Sequence, residues 1–298
     1  RNTAERRLTM FELHVKPCHA DHADAITEHL EANGALSVTL VDQADSPILE
    51  PGPGETPLWP YSIAEALYAN AIEAESAWQA LLIEYPNLSH SLKAIPNQDW
   101  VRTCLKDVKP LLFGKNLWVC PSSEAPPEPH ATHITLDPGQ AFGTGTHPTT
   151  SLCLTWLDGA LLQDKVIIDY GCGSGILALA ALKLGARLAY AVDLDEQALT
   201  ATQSNAEKNN ISNSKLSLSM PEALIEPVEL LLANILLTPL LALKSRFEAL
   251  LKPGGLLVLS GILKTQVEQL TYTYNTPEWT HQDTQYEDEW AVVVFQKK

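Results

Sequence analysis

Polar and apolar positions divide the chain into an amino-terminal block of mixed periods and a longer block in which apolar runs alternate with helical stripes. In the first block Phe11, Leu13 and Val15 alternate with polar neighbours, as do Leu36, Val38 and Leu40, the period of half-buried strands. Between them Ala23, Ile26, Thr27 and Leu30 recur at helical spacing, and Asn33-Gly34 offers a C-cap. After a proline-rich loop over residues 45–60, Glu65 to Ala69 reads as a third strand, Glu73 to Leu82 as a second helix and Leu92 to Ile95 as a fourth strand. The order βαββαβ predicts a small ferredoxin-like α+β domain.

A short connecting helix is expected from Asp99 to Val108 and a strand over Leu117-Trp118-Val119-Cys120, before the prolines between Pro121 and Pro129 interrupt regular structure. The second block opens with a helix whose stripe is Cys153, Trp156, Leu157, Ala160 and Leu161, with Thr146 as its cap and Pro148 in its first turn. The run Val166-Ile167-Ile168 then stops at Asp169 and opens into Gly171, Gly173 and Gly175, after which Ile176, Leu177, Ala180 and Leu184 repeat as a helix. Leu188 to Asp193 is a second apolar run ending in an acid, and Leu230 to Ala233 a further one ending at Asn234. A helix is expected over Pro239 to Leu251, a turn and strand over 253–260, and a terminal strand over Trp290 to Phe295. Strand and helix in alternation predict a doubly wound sheet. The expected division is 8–96, a linker over 97–131, and 132–298.

Composition narrows the class. With 298 residues and 45% hydrophobic content the chain can bury two cores. Five scattered cysteines without a C-x-x-C indicate neither a disulfide framework nor a zinc site, so no metal is expected and a reducing cytoplasm fits best. The longest apolar stretch, Val228 to Leu243, contains Glu229, Asn234 and Pro239 and is too short to span a membrane. A formal charge of −16 repels a phosphate backbone, which argues against nucleic acid as substrate, and attracts a basic protein.

The chemistry centres on the glycines. Such residues allow unusual dihedrals and close approach, and the helix start behind them presents free N–H donors, the ingredients of a nucleotide-like site. Asp193 lies 22 positions after Gly171, the spacing of an acid that hydrogen-bonds ribose hydroxyls. Gly171-x-Gly173-x-Gly175 departs from the dinucleotide pattern G-x-G-x-x-G, which argues against a nicotinamide oxidoreductase. Asp169, two residues before the first glycine, would repel a pyrophosphate and suits a ligand carrying positive charge. This stretch resembles motif I of class I S-adenosylmethionine-dependent methyltransferases.

Asp137 to Thr150 reads D-P-G-Q-A-F-G-T-G-T-H-P-T-T; it is followed by D-Y-G-C-G-S-G-I-L from Asp169 and A-N-I-L from Ala233. Together these resemble the methyltransferases of protein eleven of the large ribosomal subunit, with Asp99-Trp100, Leu117 to Pro121 and Leu259 to Leu263 extending the likeness. Before residue 97 only the element order and Glu50 to Thr56 match. The resemblance implies a seven-stranded Rossmann-like sheet with its last strand reversed, a small amino-terminal domain that recognises the ribosomal protein, free or on the ribosome, and a monomer that methylates lysine side chains and the N-terminal amine. It further implies that Thr150 and Gly171 contact the methionine part of the cofactor, that Gly173 also binds the cofactor, that Asp193 contacts the ribose, and that Asn234 faces the methyl-donor side, where it orients the amine. Many amine methyltransferases carry N-P-P-aromatic where this chain has Asn234-Ile235-Leu236-Leu237, so the amine pocket's aromatic wall is unassigned. His147 is weighed as a base against a structural role, and Asn234 against a helix cap. The other readings are transfer to a different amine, or a catalytically silent ribosome-binding protein.

Overall fold

The computed structural model describes residues 9–44, 48, 56–95, 108–128, 130–137, 145–223 and 225–298. The connecting helix expected from Asp99 lies outside them up to residue 107, as do residues 50–55 and 138–144 of the stretches singled out above. Two units divide between Trp100 and Val101.

The amino-terminal unit runs β1 (Met10–His19), α1 (Ala20–Ala32), β2 (Ser37–Asp42), β3 (Tyr61–Tyr68), α2 (Ala71–Glu84) and β4 (Ser89–Ile95). The strands form an antiparallel sheet in the order β2-β3-β1-β4, the ferredoxin-like arrangement. Leu13, Val15, Ala64 and Ala66 from one sheet face meet Ile26, Leu30, Ala74, Trp78 and Leu81 from the helices. Each large side chain buried this way contributes roughly 1.5–3 kcal/mol. Helix α1 starts where His19 accepts from the amide of Asp21 and ends at Asn33, as the Asn-Gly pair predicts. Strand β3 begins at Tyr61 rather than Glu65, because small inward residues, Ser62, Ala64 and Ala66, alternate with larger outward ones and blur the period.

The carboxyl-terminal unit begins with a small sheet, β5 (Leu111–Phe113), β6 (Leu117–Cys120) and β7 (Thr132–Thr135). It continues through α3 (Pro148–Asp158), β8 (Val166–Tyr170), α4 (Ile176–Lys183), β9 (Leu188–Val192), α5 (Glu196–Lys208), β10 (Leu216–Ser219), β11 (Val228–Asn234), α6 (Leu237–Ala242), α7 (Lys244–Leu250), β12 (Leu251–Leu263), α8 (Val267–Tyr274), β13 (Trp279–Glu287) and β14 (Trp290–Lys297). Seven strands pair in the order β10-β9-β8-β11-β12-β14-β13. The first five are parallel, and β14 runs antiparallel to both neighbours, the reversed last strand of the sequence expectation. Every residue of β8 is buried because helices cover both faces: Ile167 joins the core under α3 and α4, while Val166, Ile168 and Tyr170 join the one under α7 and α8.

Three local expectations are corrected. His147, not Thr146, caps α3, its Nδ1 accepting from the amide of Thr149. That helix stops at Asp158, with Gly159 at its end, so Ala160 and Leu161 fall beyond it and Leu161 is 85% exposed. The single helix expected over Pro239 to Leu251 is two short ones, and Leu251 already belongs to β12.

Candidate functional site at the carboxyl edge of the sheet

The parallel strands end together, and open α/β sheets bind ligands beyond that edge. At the end of β8 the chain turns through Gly171 at φ 78° and Gly173 at φ 53°, and the amides of Gly171 and Cys172 donate to the carbonyl of Val192, at 2.7 and 3.0 Å. The left-handed dihedrals explain the glycines, and a Cβ at Gly171 would collide with the side chain of Ile235. Ile235 is itself fixed from the far side. Its amide donates to the Ser260 carbonyl at 3.1 Å, and Gly261, at φ 85°, lets its backbone pass so closely that an added Cβ would stand 2.8 Å from the Ile235 nitrogen.

Asp193 follows β9, and both its oxygens are oriented: Oδ2 accepts from the amide of Gly173 at 2.9 Å and Oδ1 from the amide of Asp195 at 3.0 Å. The cap of α5 is Asp195, which accepts from Gln197 at 2.8 Å, so Asp193 is not spent on that helix. Each Asp193 oxygen keeps a lone pair for a further donor.

A cavity of about 1100 Å³ opens here, lined by Gly171, Gly173, Asp193 and Asn234 together with Leu194, Pro221 and Ile235. Four of the five candidate site residues thus meet in one space. The fifth, Thr150, is buried behind Asn234, with its Oγ1 accepting from Asn234 Nδ2 at 3.2 Å. With one amide N–H so engaged, Asn234 keeps its carbonyl oxygen and its second N–H for other partners. It caps no helix, since Leu236 occupies the cap position of α6 without a side-chain bond. Asp137, the first residue of the glycine-rich loop, is held by the amide and hydroxyl of Ser122, each at 2.7 Å, and by Lys208 at 3.3 Å; against its burial these keep its carboxyl below the usual range.

The structure changes one expectation, that for Asp169, and gives His147 the structural one of its two readings. Asp169 does not line the cavity: it is buried between β8 and α4, its Oδ2 accepting from the amide of Ala178 at 3.0 Å. Burial pushes its pKa up to about 7, opposed by that amide and reinforced by the charge of Asp193. His147 packs edge-on against Trp290 at 4.7 Å and caps α3, and burial lowers its pKa, with Glu287 opposing. Leu194, which the sequence reading passed over, is 76% exposed at the cavity. Its signal was present, an apolar residue between two acids; Pro221 and Ile235 carried none.

A doubly wound sheet with a reversed last strand, a glycine turn after its first strand and an acid after its second defines a class I S-adenosylmethionine-dependent methyltransferase. The sequence profile of the ribosomal protein L11 methyltransferase family (PrmA) matches residues 9–298, and the chain belongs to this family. It is 54% identical over 288 residues to the ribosomal protein L11 methyltransferase of Legionella pneumophila strain Philadelphia 1, covering 97% of this chain and 99% of that protein. To the enzyme of the same name from Nitrosococcus oceani it is 46% identical over 293 residues, 97% of this chain and 98% of that protein. The crystal structure of a ribosomal protein L11 methylase from Lactobacillus delbrueckii subsp. bulgaricus superposes with a TM-score of 0.59 at 29% identity, covering 64% of this chain and all of that one.

Proposed function

We infer that this chain methylates amines of ribosomal protein L11, on lysine side chains and at the N-terminus, with S-adenosylmethionine held at the carboxyl edge of the sheet. The observation that carries this reading is the convergence of Gly171, Gly173, Asp193 and Asn234 on one cavity in a chain of this family. When bound, the cofactor supplies a sulfonium methyl for direct displacement. Gly171 and Gly173 leave room for its methionine part, and Asp193, already oriented by two amides, accepts from the ribose hydroxyls. Thr150 holds Asn234 so that the amide oxygen faces the incoming amine.

The amine must arrive without its proton, which for an ordinary lysine at neutral pH costs about 5 kcal/mol. Desolvation in the cavity and nearness to positive charge both lower that cost. The amine would leave the site as a methylated ammonium and release its proton to solvent. Asn234 accepts a hydrogen bond without adding charge, so it aligns the lone pair and does not favour the unreactive ammonium.

Residues 8–96 serve as the recognition domain in this reading, 97–131 as the linker and 132–298 as the cofactor domain; the enzyme acts as a cytoplasmic monomer, on L11 either free or on the ribosome. Among the described residues no helix is long and apolar enough to cross a membrane. Asp193→Ala is expected to weaken cofactor binding by roughly 1.5–3 kcal/mol, the range for hydrogen bonds to a charged group. Calorimetry on the folded variant checks this, and unchanged affinity would remove Asp193 from the site. The domain assignment is tested by a protein beginning near Asp99. It should bind cofactor like the full chain and fail to methylate L11; full activity on L11 would overturn the assignment.

A further inference from the structure

Asn234 ends β11 and Thr150 stands in the first turn of α3, so the 3.2 Å bond from Nδ2 to Oγ1 crosses from the sheet to a helix. The direction of the Asn234 amide therefore depends on how that turn of α3 sits against the strand ends. A second residue joins the same two parts. Ser260 of β12 is fully buried, and its hydroxyl donates to the carbonyl of Ala291 on β14 at 2.9 Å and lies 3.3 Å from the carbonyl of Thr149. The buried thiol of Cys153, one turn further along α3, is another hydrogen-bond partner of that hydroxyl.

The backbone explains how a strand residue comes to grip a helix start. In the parallel register with β11, Ser260 stands beside Asn234. On the other side Leu259 pairs with Val293 and Ile262 with Ala291, so Ser260 and Gly261 together face the single Val292 of β14. A bulge of this kind re-aims a side chain, and Gly261 at φ 85° supplies the backbone that it requires. The carbonyl of Ser260 also accepts from the amide of Ile235 at 3.1 Å. Ser260 thus fixes the residue after Asn234 through its backbone and the residue before Thr150 through its side chain.

We propose that Ser260 is a positioning residue for methyl transfer, clamping the first turn of α3 to the strand ends and so setting the Asn234 and Thr150 pair at the spacing that aims the amide at the incoming amine. The proposal rests on the reading of Asn234 as the group that orients the amine, and names what holds it there. Orientation enters the rate steeply, since a displacement of about 1 Å can cost about 100-fold. Ser260 is not among the residues that line the cavity, so its loss should be felt in turnover and not in binding.

The test uses the full chain and purified L11, with turnover measured by labelled-methyl transfer and cofactor affinity by calorimetry, which also shows that a variant is folded. Ser260→Ala should lower the turnover number about tenfold, with KM for L11 and affinity for S-adenosylmethionine each within about threefold of the unmodified chain. Added to Asn234→Ala, it should cost less than about twofold more, because the group it positions is already gone. Full and independent losses in the double variant would make Ser260 an ordinary buried hydroxyl and overturn the proposal. Unmodified turnover in Ser260→Ala, with Asn234→Ala impaired, would overturn the positioning role and leave the reading of Asn234 standing. Unmodified turnover in Asn234→Ala would overturn that reading, and the proposal with it. Should the alanine variant fail to bind cofactor, Ser260→Cys carries the test: it keeps a weak donor at the same place, and should lose about threefold alone and nothing further on Asn234→Ala. Unmodified turnover in Ser260→Cys, or a loss repeated in full on Asn234→Ala, would overturn the proposal equally.

Discussion

Asn234→Asp is expected to bind S-adenosylmethionine within a few-fold of the unmodified chain and to lose roughly 10- to 1000-fold in turnover at neutral pH. A carboxylate beside the amine stabilises its protonated form and raises its pKa by about 1–3 units, and each unit removes tenfold of the neutral, reactive species. The sign is specific: the amine needs a higher pH to become neutral, so activity should return as pH rises and the rate profile should move to alkaline pH by the same interval. Asn234→Ala should also lose activity, through lost alignment and the loss of the Thr150 hydrogen bond, but with no such displacement of the profile. Wild-type turnover in both variants under saturating cofactor would make Asn234 a structural residue only.

Asp169→Asn is expected to change the dependence of stability on pH. The folded carboxyl titrates near 7, the unfolded one near the ordinary value of 3.8. Between those values the folded chain holds the proton and the unfolded chain does not. Stability from this group is therefore fully present below about pH 4 and declines as pH rises towards 7, by up to about 4 kcal/mol. Asparagine keeps an oxygen for the amide of Ala178 and does not ionise. In urea unfolding the variant should match the unmodified chain near about pH 4 and exceed it by several kcal/mol near about pH 8. Parallel stability profiles would show that the Asp169 carboxyl ionises in the folded state without that penalty.

What the sequence made legible follows from burial. Val166 to Ile168 reads as a strand because helices cover both of its faces, and the glycines after it mark a left-handed turn that few other residues could make. Asp193 stood at a readable distance because β8, α4 and β9 have ordinary lengths. In the amino-terminal unit the caps at His19 and Asn70 fixed the helix starts, although histidine is an uncommon cap and only Asn33-Gly34 was read.

The misses have equally local causes. Strand β13 is a mostly polar edge, paired on one side, and shows no apolar period, while β10 is four residues long. The bond between Asn234 and Thr150 joins positions 84 apart, which no local pattern encodes. The direction of Asp169 was legible in principle. Alternation along β8 places it on the side of Ile167, towards α4, and its position before the glycines was read as pointing to the ligand without that parity being applied.

The most direct measurement is transfer of labelled methyl groups from S-adenosylmethionine to ribosomal protein L11 isolated from cells lacking this enzyme, with modified positions mapped by mass spectrometry. Label is predicted on lysine side chains and the N-terminal amine of L11 with the unmodified chain, and very little with Asn234→Asp over the same time. A chain that binds the cofactor yet leaves L11 unlabelled, while labelling another component of the same extract, would contradict the assignment.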